Sequence, residues 1–386
     1  MNTAANKYMS MEVGVAGQKG VVVLTSRHEI VEDVDIVAVV DCSLSMEGPK
    51  LDMVQMTLHA LVEAATAKSS LTIVRFSDDA EIVCEATPVR DCHEAIEKLE
   101  ATDSTNLLAG LELGIQSLVG STKKDRRRAF FAFTDGCVNR GVTKTGELIA
   151  QFKRMWQGCD DVHLWMTSLG SDSDYNLMRG LANVVQTKSM FNHIMDHDYG
   201  EFAGTVGALV ATVQSSINGT IVINDHKTTT NFCLPRDAAN CYLFDVITQP
   251  ISVKVDSDEC ALSLKFDPSS SSTTKFDAAQ LIQIVTVKDQ CCVAAAKEHD
   301  DVDALKSLLA GLPVISLDDK AEYAKIVRDQ YAVMQQSIDN LKSIIDNYND
   351  REKLCCLSSQ MLSLKRQSTS SYTATVSKKF RKQVTV

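Results

Sequence analysis

Asp35-Ile36-Val37-Ala38-Val39-Val40-Asp41-Cys42-Ser43-Leu44-Ser45 is a short apolar run that ends in an acid and two hydroxyls. Ile36 to Val40 is β-branched, continuous and brief, which is the signature of a strand buried on both faces. Such a strand delivers its last residues to the carboxyl edge of a parallel sheet, where open α/β folds place their ligands. Alternation then puts Asp41, Ser43 and Ser45 on one side of the chain. Three oxygen donors without a His or Cys suit a hard cation. The plainer reading is a strand end followed by a helix cap, with Ser43 or Ser45 accepting backbone N–H groups.

From this stretch onward the chain alternates strand and helix. The spacing predicts helices over 50–68, 91–99, 107–118, 146–158, 174–182 and 199–217. It predicts strands over 36–40, 71–76, 80–85, 129–134, 162–169 and 189–194. The 80–85 strand is expected as an antiparallel edge after the Ser77-Asp78-Asp79 turn. This alternation implies a doubly wound, mostly parallel sheet with helices on both faces.

Two further stretches end in the same kind of chemistry. Thr102-Asp103-Ser104-Thr105-Asn106-Leu107-Leu108-Ala109-Gly110-Leu111 is a polar loop running into a helix. Its plainer reading is a cap by Ser104 or Thr105. Phe130-Phe131-Ala132-Phe133-Thr134-Asp135-Gly136 is a buried strand ending in an acid, with a glycine that permits a tight turn beside it.

Together, Asp41-x-Ser43-x-Ser45, the Thr105 loop and Thr134-Asp135-Gly136 resemble the three motifs of the von Willebrand factor A domain, over roughly residues 33–217. The resemblance implies a Rossmann-like sheet carrying a metal-ion-dependent adhesion site. Asp41, Ser43, Ser45, Thr105 and Asp135 would hold Mg²⁺, with Mn²⁺ or Ca²⁺ as alternatives. The three hydroxyls would bind the ion directly, and the acids would act through water or by holding the hydroxyls. An Asp or Glu carboxylate of a protein partner would complete the coordination sphere. Leu44 departs from the pattern, because the family usually has Gly between the two serines.

Such a site would serve recognition rather than catalysis. Metal-assisted hydrolysis needs a positioned base, and no His lies near the motifs in sequence: His59 and His93 fall on helices as surface or packing residues. There is no phosphate-binding Gly-x-x-x-x-Gly-Lys loop and no Gly-x-Ser-x-Gly elbow. The sequence therefore predicts a protein that is not an enzyme.

Composition narrows the class further. The 386 residues are 45% hydrophobic and 23% charged, ordinary for a globular protein of two to three domains. A net charge of −11 argues against a nucleic-acid partner, which would require a basic face. The twelve cysteines lack Cys-x-x-Cys spacing and predict free thiols in a reducing compartment. With no apolar leader and no run of 18 apolar residues, neither a signal peptide nor a membrane span is expected, and the predicted location is cytoplasmic.

The flanking segments have another character. Residues 11–31 predict two strands around the Gly17–Gly20 turn, expected to pair with a β-rich segment after 218. That segment offers strands at 220–223, 242–247, 251–255, 262–266 and 281–287, which predicts a β-sandwich. Short helices are expected at 290–299 and 302–309, and a long one at 321–348. The long helix carries a heptad stripe of Val327, Tyr331, Met334, Ile338, Leu341, Ile345 and Tyr348. The stripe either packs on the chain's own helices and sandwich or serves self-association. Lys365 to Lys382 is a basic tail rich in Ser and Thr, a second candidate for self-association. The order of these parts resembles von Willebrand factor A proteins with a Vwaint-type C-terminal region. The expected divisions are 1–32, 33–217, 218–290, 291–363 and 364–386. A scaffold that assembles through the long helix and tail is the alternative to a metal-dependent binding module.

Overall fold

The computed structural model describes residues 3–27, 31–120, 126–185, 188–195, 206, 209–210, 213–224, 228–234, 239–246, 250–257, 261–266, 277–297, 302–315 and 325–347. Contacts divide the chain into two compact units; one contains Val31–Ser215, and the other joins Met1–Ile30 to Ser216–Tyr372.

The second unit begins with β1 (Thr3–Ala5), β2 (Met9–Ala16) and β3 (Lys19–Ser26). The Val31–Ser215 unit follows with β4 (Val34–Asp41), α1 (Pro49–Ala64), β5 (Ser70–Phe76), β6 (Ala80–Pro88), α2 (His93–Glu97) and α3 (Leu107–Gly120). It continues with β7 (Arg127–Thr134), α4 (Thr145–Met155), β8 (Val162–Leu169), α5 (Tyr175–Ala182) and β9 (Ser189–Ile194). The six strands form one sheet in the order β6-β5-β4-β7-β8-β9. Every pair is parallel except β5–β6, which is antiparallel at the edge.

β4 is buried along its whole length because it carries helices on both faces. Ile36, Ala38 and Val40 join Leu51, Val54, Leu58 and Leu61 of α1 in one core cluster. Val39 of the opposite face lies against α3, where a Cβ on Gly114 would stand 2.5 Å from Val39 Cγ2. The chain leaves β4 for β5 on one side and later returns to β7 on the other. The carboxyl ends of β4 and β7 therefore flank the point where strand order reverses. The helix expected over 199–217 lies mostly outside the described residues. Val206, Leu209, Val210 and Val213 are buried in the α1-side core, and Ile217 already belongs to the next strand.

The other unit continues with β10 (Ile217–Ile223), β11 (Thr228–Leu234), β12 (Ala239–Asp245), β13 (Ile251–Ser257) and β14 (Ala261–Phe266). It ends with α6 (Ala278–Lys297), α7 (Val302–Gly311) and α8 (Lys325–Asp346). β12 adds antiparallel to β3, so the N-terminal hairpin joins a strand more than 200 residues later. Two four-stranded sheets result, β1-β2-β3-β12 and β11-β10-β13-β14. Met11, Val13, Val22 and Leu24 of the first share a core with Ile221, Phe232, Val253 and Val255 of the second.

Two expectations are corrected here. Leu281 to Val287 is not a strand but the first half of α6, and residues 290–297 continue the same helix. Its β-branched run satisfies a strand template locally. Burial, however, falls on the adjacent pairs Leu281-Ile282 and Ile284-Val285 as well as on Val287, which is not the alternation of a half-buried strand. β11 was not among the expected strands; threonine is β-branched, and Thr228 to Thr230 pair antiparallel with β10.

Much of the heptad stripe of α8 packs within the chain. Val327, Met334 and Leu341 are buried in a cluster with Leu281 and Ile284 of α6 and with Val21 and Val23 of β3. Tyr331, Ile338 and Ile345 pack against the same cluster, and Tyr348 lies outside the described residues. The polar loop 268–274 and the basic tail also lie outside them. Among the described residues, no helix is long and apolar enough to cross a membrane.

Candidate metal centre

The three motifs meet at the carboxyl edge of the sheet and are bonded to one another. Asp41, the last residue of β4, is fully buried. Its Oδ1 accepts the Ser43 backbone N–H at 2.8 Å, and its Oδ2 accepts the hydroxyl of Thr134 from the neighbouring strand β7. First and third motifs are thus tied side chain to side chain. Thr102 N–H donates to Cys42 O at 2.6 Å and Leu44 N–H to Asp103 O at 3.1 Å, which ties the first to the second. Asn139, four residues past Asp135, accepts the Thr105 N–H at 2.8 Å through its side chain. Its own N–H donates back to Thr105 O at 3.3 Å, which ties the second to the third.

The structure answers the helix-cap reading of the hydroxyls. A short 3-10 turn, Leu44–Met46, follows Ser43, yet the Ser43 side chain makes no capping hydrogen bond. The N-cap of α1 is Gly48, at φ 77°, also without a side-chain cap. Ser43 and Ser45 instead place their hydroxyls 3.1 Å apart, Ser43 buried and Ser45 exposed. At α3, the capping oxygen is that of Asn106, which accepts the Ala109 N–H at 3.4 Å. Thr105 is buried on the same edge.

Burial is the largest influence on Asp41 and pushes its carboxyl up to about 6, assisted by the nearby charge of Asp135 and opposed by the hydrogen bonds from Ser43 and Thr134. Asp135 follows β7 and is fully buried. Gly136 turns the chain beside it at φ 70°. Asp135 Oδ1 accepts the Cys137 N–H at 3.1 Å, and its backbone O accepts the Asp174 N–H at 2.8 Å.

Three residues that sequence reasoning missed complete this edge. Lys50, on the first turn of α1, places Nζ 3.1 Å from Asp135 Oδ2 and 2.8 Å from Asp172 Oδ1. Burial pulls its ammonium down, but the hydrogen bonds and charges of Asp172 and Asp135 outweigh it and hold the group above the ordinary lysine range. Asp135, Cys137 and Asp172 bring their donor atoms within 4.8 Å of one another. Asp172 follows the carboxyl end of β8, so an acid past a third parallel strand was the available signal. His59 and His93 face each other, Nδ1 to Nδ1 at 2.9 Å, between α1 and α2.

The donor set at the first motif, hydroxyl oxygens backed by fixed carboxylates, fits a hard divalent cation. Released from capping, the serine hydroxyls retain lone pairs for such an ion.

Comparison with known proteins agrees with the fold. The family model of the von Willebrand factor type A domain matches residues 36–138. The uncharacterized protein sll0103 of Synechocystis sp. is 34% identical over 122 residues, which is 30% of this chain and 29% of that protein. The chain thus matches less than a third of that relative's length. The solved von Willebrand factor type A protein from Catenulispora acidiphila superposes with a TM-score of 0.58 at 14% identity, covering 88% of this chain and 90% of that one. The ArnB paralog VWA2 from Sulfolobus acidocaldarius gives 0.55 at 12% identity, covering 95% and 100%. At these identities the shared property is the fold. Residues 36–138 thus carry the match to the von Willebrand factor type A domain, and Asp41, Ser43, Ser45, Thr105 and Asp135 all fall within them.

Proposed function

We propose that the Val31–Ser215 unit is a metal-ion-dependent protein-binding module and not an enzyme. Ser43, Ser45 and Thr105 would hold the cation through their hydroxyls, while Asp41 and Asp135 fix the hydroxyl geometry and supply counter-charge. Mg²⁺, with Mn²⁺ or Ca²⁺ as alternatives, would offer an open position to an Asp or Glu carboxylate of a partner. The observation that carries this reading is the pair of serine hydroxyls, 3.1 Å apart at a strand end and engaged in no helix cap.

Recognition is favoured over hydrolysis by the environment of His193, the histidine beside Ser173. His193 has Ser173 Oγ 3.3 Å from its Nδ1, but burial pushes it down to about 4, far from the near-neutral range of an effective general base. The stripe offers the scaffold alternative less free surface, because Val327, Met334 and Leu341 are buried within the chain.

Thermal unfolding against Mg²⁺, Mn²⁺ and Ca²⁺ tests the proposal. A ligand that binds only the folded state adds about 2.7 kcal/mol at a hundredfold excess over its Kd. For a domain of this size that raises the midpoint by roughly 5–10 °C. The rise should saturate, and it should disappear in Asp41→Ala and in the gentler Ser43→Ala. No rise in the wild type with any of the three ions overturns the proposal.

A further inference from the structure

Lys50 places a cation where the proposed ion's counter-charge lies. Its Nζ bridges Asp135 Oδ2 and Asp172 Oδ1, and its side chain is only 13% exposed, beside an Asp135 that is fully buried. The position is unfavourable on local grounds. Lys50 sits in the first turn of α1, where the helix dipole presents its positive end and disfavours a cation. The surroundings are nevertheless shaped to receive it. Gly170 follows β8 at φ 85°, and a Cβ there would stand 2.6 Å from Lys50 Cε and 2.8 Å from Asp172 Oδ1. A glycine at this point opens the path that the lysine stem follows to the two acids.

We infer that Lys50 is a tethered counter-cation that competes with the divalent ion for Asp135 and thereby sets the ion affinity of the site. The inference rests on the ion-binding reading above. An ammonium already paired with Asp135 cancels the charge that would neutralise a divalent ion. It also repels any second cation brought to the same edge. The consequence is an intrinsically weak ion site, one in which an incoming carboxylate contributes a large share of the attraction that retains the ion. Asp172, 61% exposed on its side chain, anchors the lysine from outside and holds it in the competing position.

The experiment measures Mn²⁺ binding to the full chain from the loss of the free-ion electron paramagnetic resonance signal, with Mg²⁺ as competitor. Lys50→Met removes the charge and keeps the stem; Lys50→Gln removes the charge and keeps a donor for Asp135; Lys50→Arg keeps the charge. Unfolding midpoints in chelator establish that each variant is folded. Removing the unit charge 3.1 Å from Asp135 Oδ2, a carboxylate that would serve the ion, should tighten binding by about tenfold or more. That gain is expected in Lys50→Met and Lys50→Gln, with Lys50→Arg staying at the wild-type value. Equal affinity in the wild type and both neutral variants, or weaker binding in the neutral variants, overturns the inference and leaves the ion site standing. Tightening in Lys50→Arg as well also overturns it, because the effect would then follow from side-chain shape. Failure of every folded protein to bind either ion overturns the inference together with the ion-site reading.

Discussion

Thr134 donates its hydroxyl to Asp41 across the two central strands, and the same oxygen accepts the Gly136 N–H at 2.8 Å. One buried threonine therefore fixes the rotamer of the first motif's acid and the turn that carries the third motif's acid.

Thr134→Val keeps the shape and removes both hydrogen bonds. An unsatisfied buried polar group costs about 1–3 kcal/mol, and more when it is charged. Denaturant unfolding should show a loss in or above that range. The ion-induced midpoint rise should also shrink, because Asp41 is no longer held.

Gly114→Ala sets helix propensity against packing. Alanine gains about 1 kcal/mol over glycine in a helix interior. The new Cβ, however, would stand 2.5 Å from Val39 Cγ2 and 2.8 Å from Phe130 Cε2, on strands buried at the centre of the sheet. Overpacking of this kind costs about 1–3 kcal/mol, so a net destabilisation is expected in urea melts. Gly146→Ala, on α4 with nothing within 4 Å of the new Cβ, is the control and should be neutral or stabilising. Stabilisation by Gly114→Ala would contradict the tight fit of α3 on the sheet.

His163 gives the Val31–Ser215 unit a measurable acid sensitivity. It lies on the interior strand β8, and burial, with the charges of Lys188 and Arg127, pushes it down to about 3. Its ordinary value is 6.5, so between those values the unfolded chain holds a proton that the folded chain refuses. Stability is intact above about pH 6.5 and falls as the pH drops toward 3, by up to about 1.4 kcal/mol per unit from this group. Asp41 works in the opposite sense: raised to about 6, it favours the folded state at low pH and loses that contribution as the pH rises through 6. Subtracting the unfolding free energies of His163→Gln from those of the wild type at pH 4, 5, 6 and 7 isolates the histidine. The wild type should lose more stability on acidification than the variant; parallel curves would contradict the assignment.

The apolar run to Asp41 and the run to Thr134 determined, without the structure, that parallel strands would carry acids to one edge. A strand buried on both faces must be continuously apolar, and that pattern is local. Asp41, Ser43, Ser45 and Asp135 drew notice as candidates because each ends or follows such a strand, whereas Thr105 joined them through the family resemblance. The local pattern did not decide whether 281–287 was strand or helix, because a short β-branched run satisfies both templates. It did not decide which groups would cap α1 and α3: Gly48 and Asn106 take those places, and the Ser43 and Ser45 hydroxyls lie 3.1 Å apart. Nor did it place Lys50 against Asp172, 122 residues away. That contact exists only because β4, β7 and β8 lie side by side, and strand order is settled by non-local pairing and helix packing that no window of sequence contains.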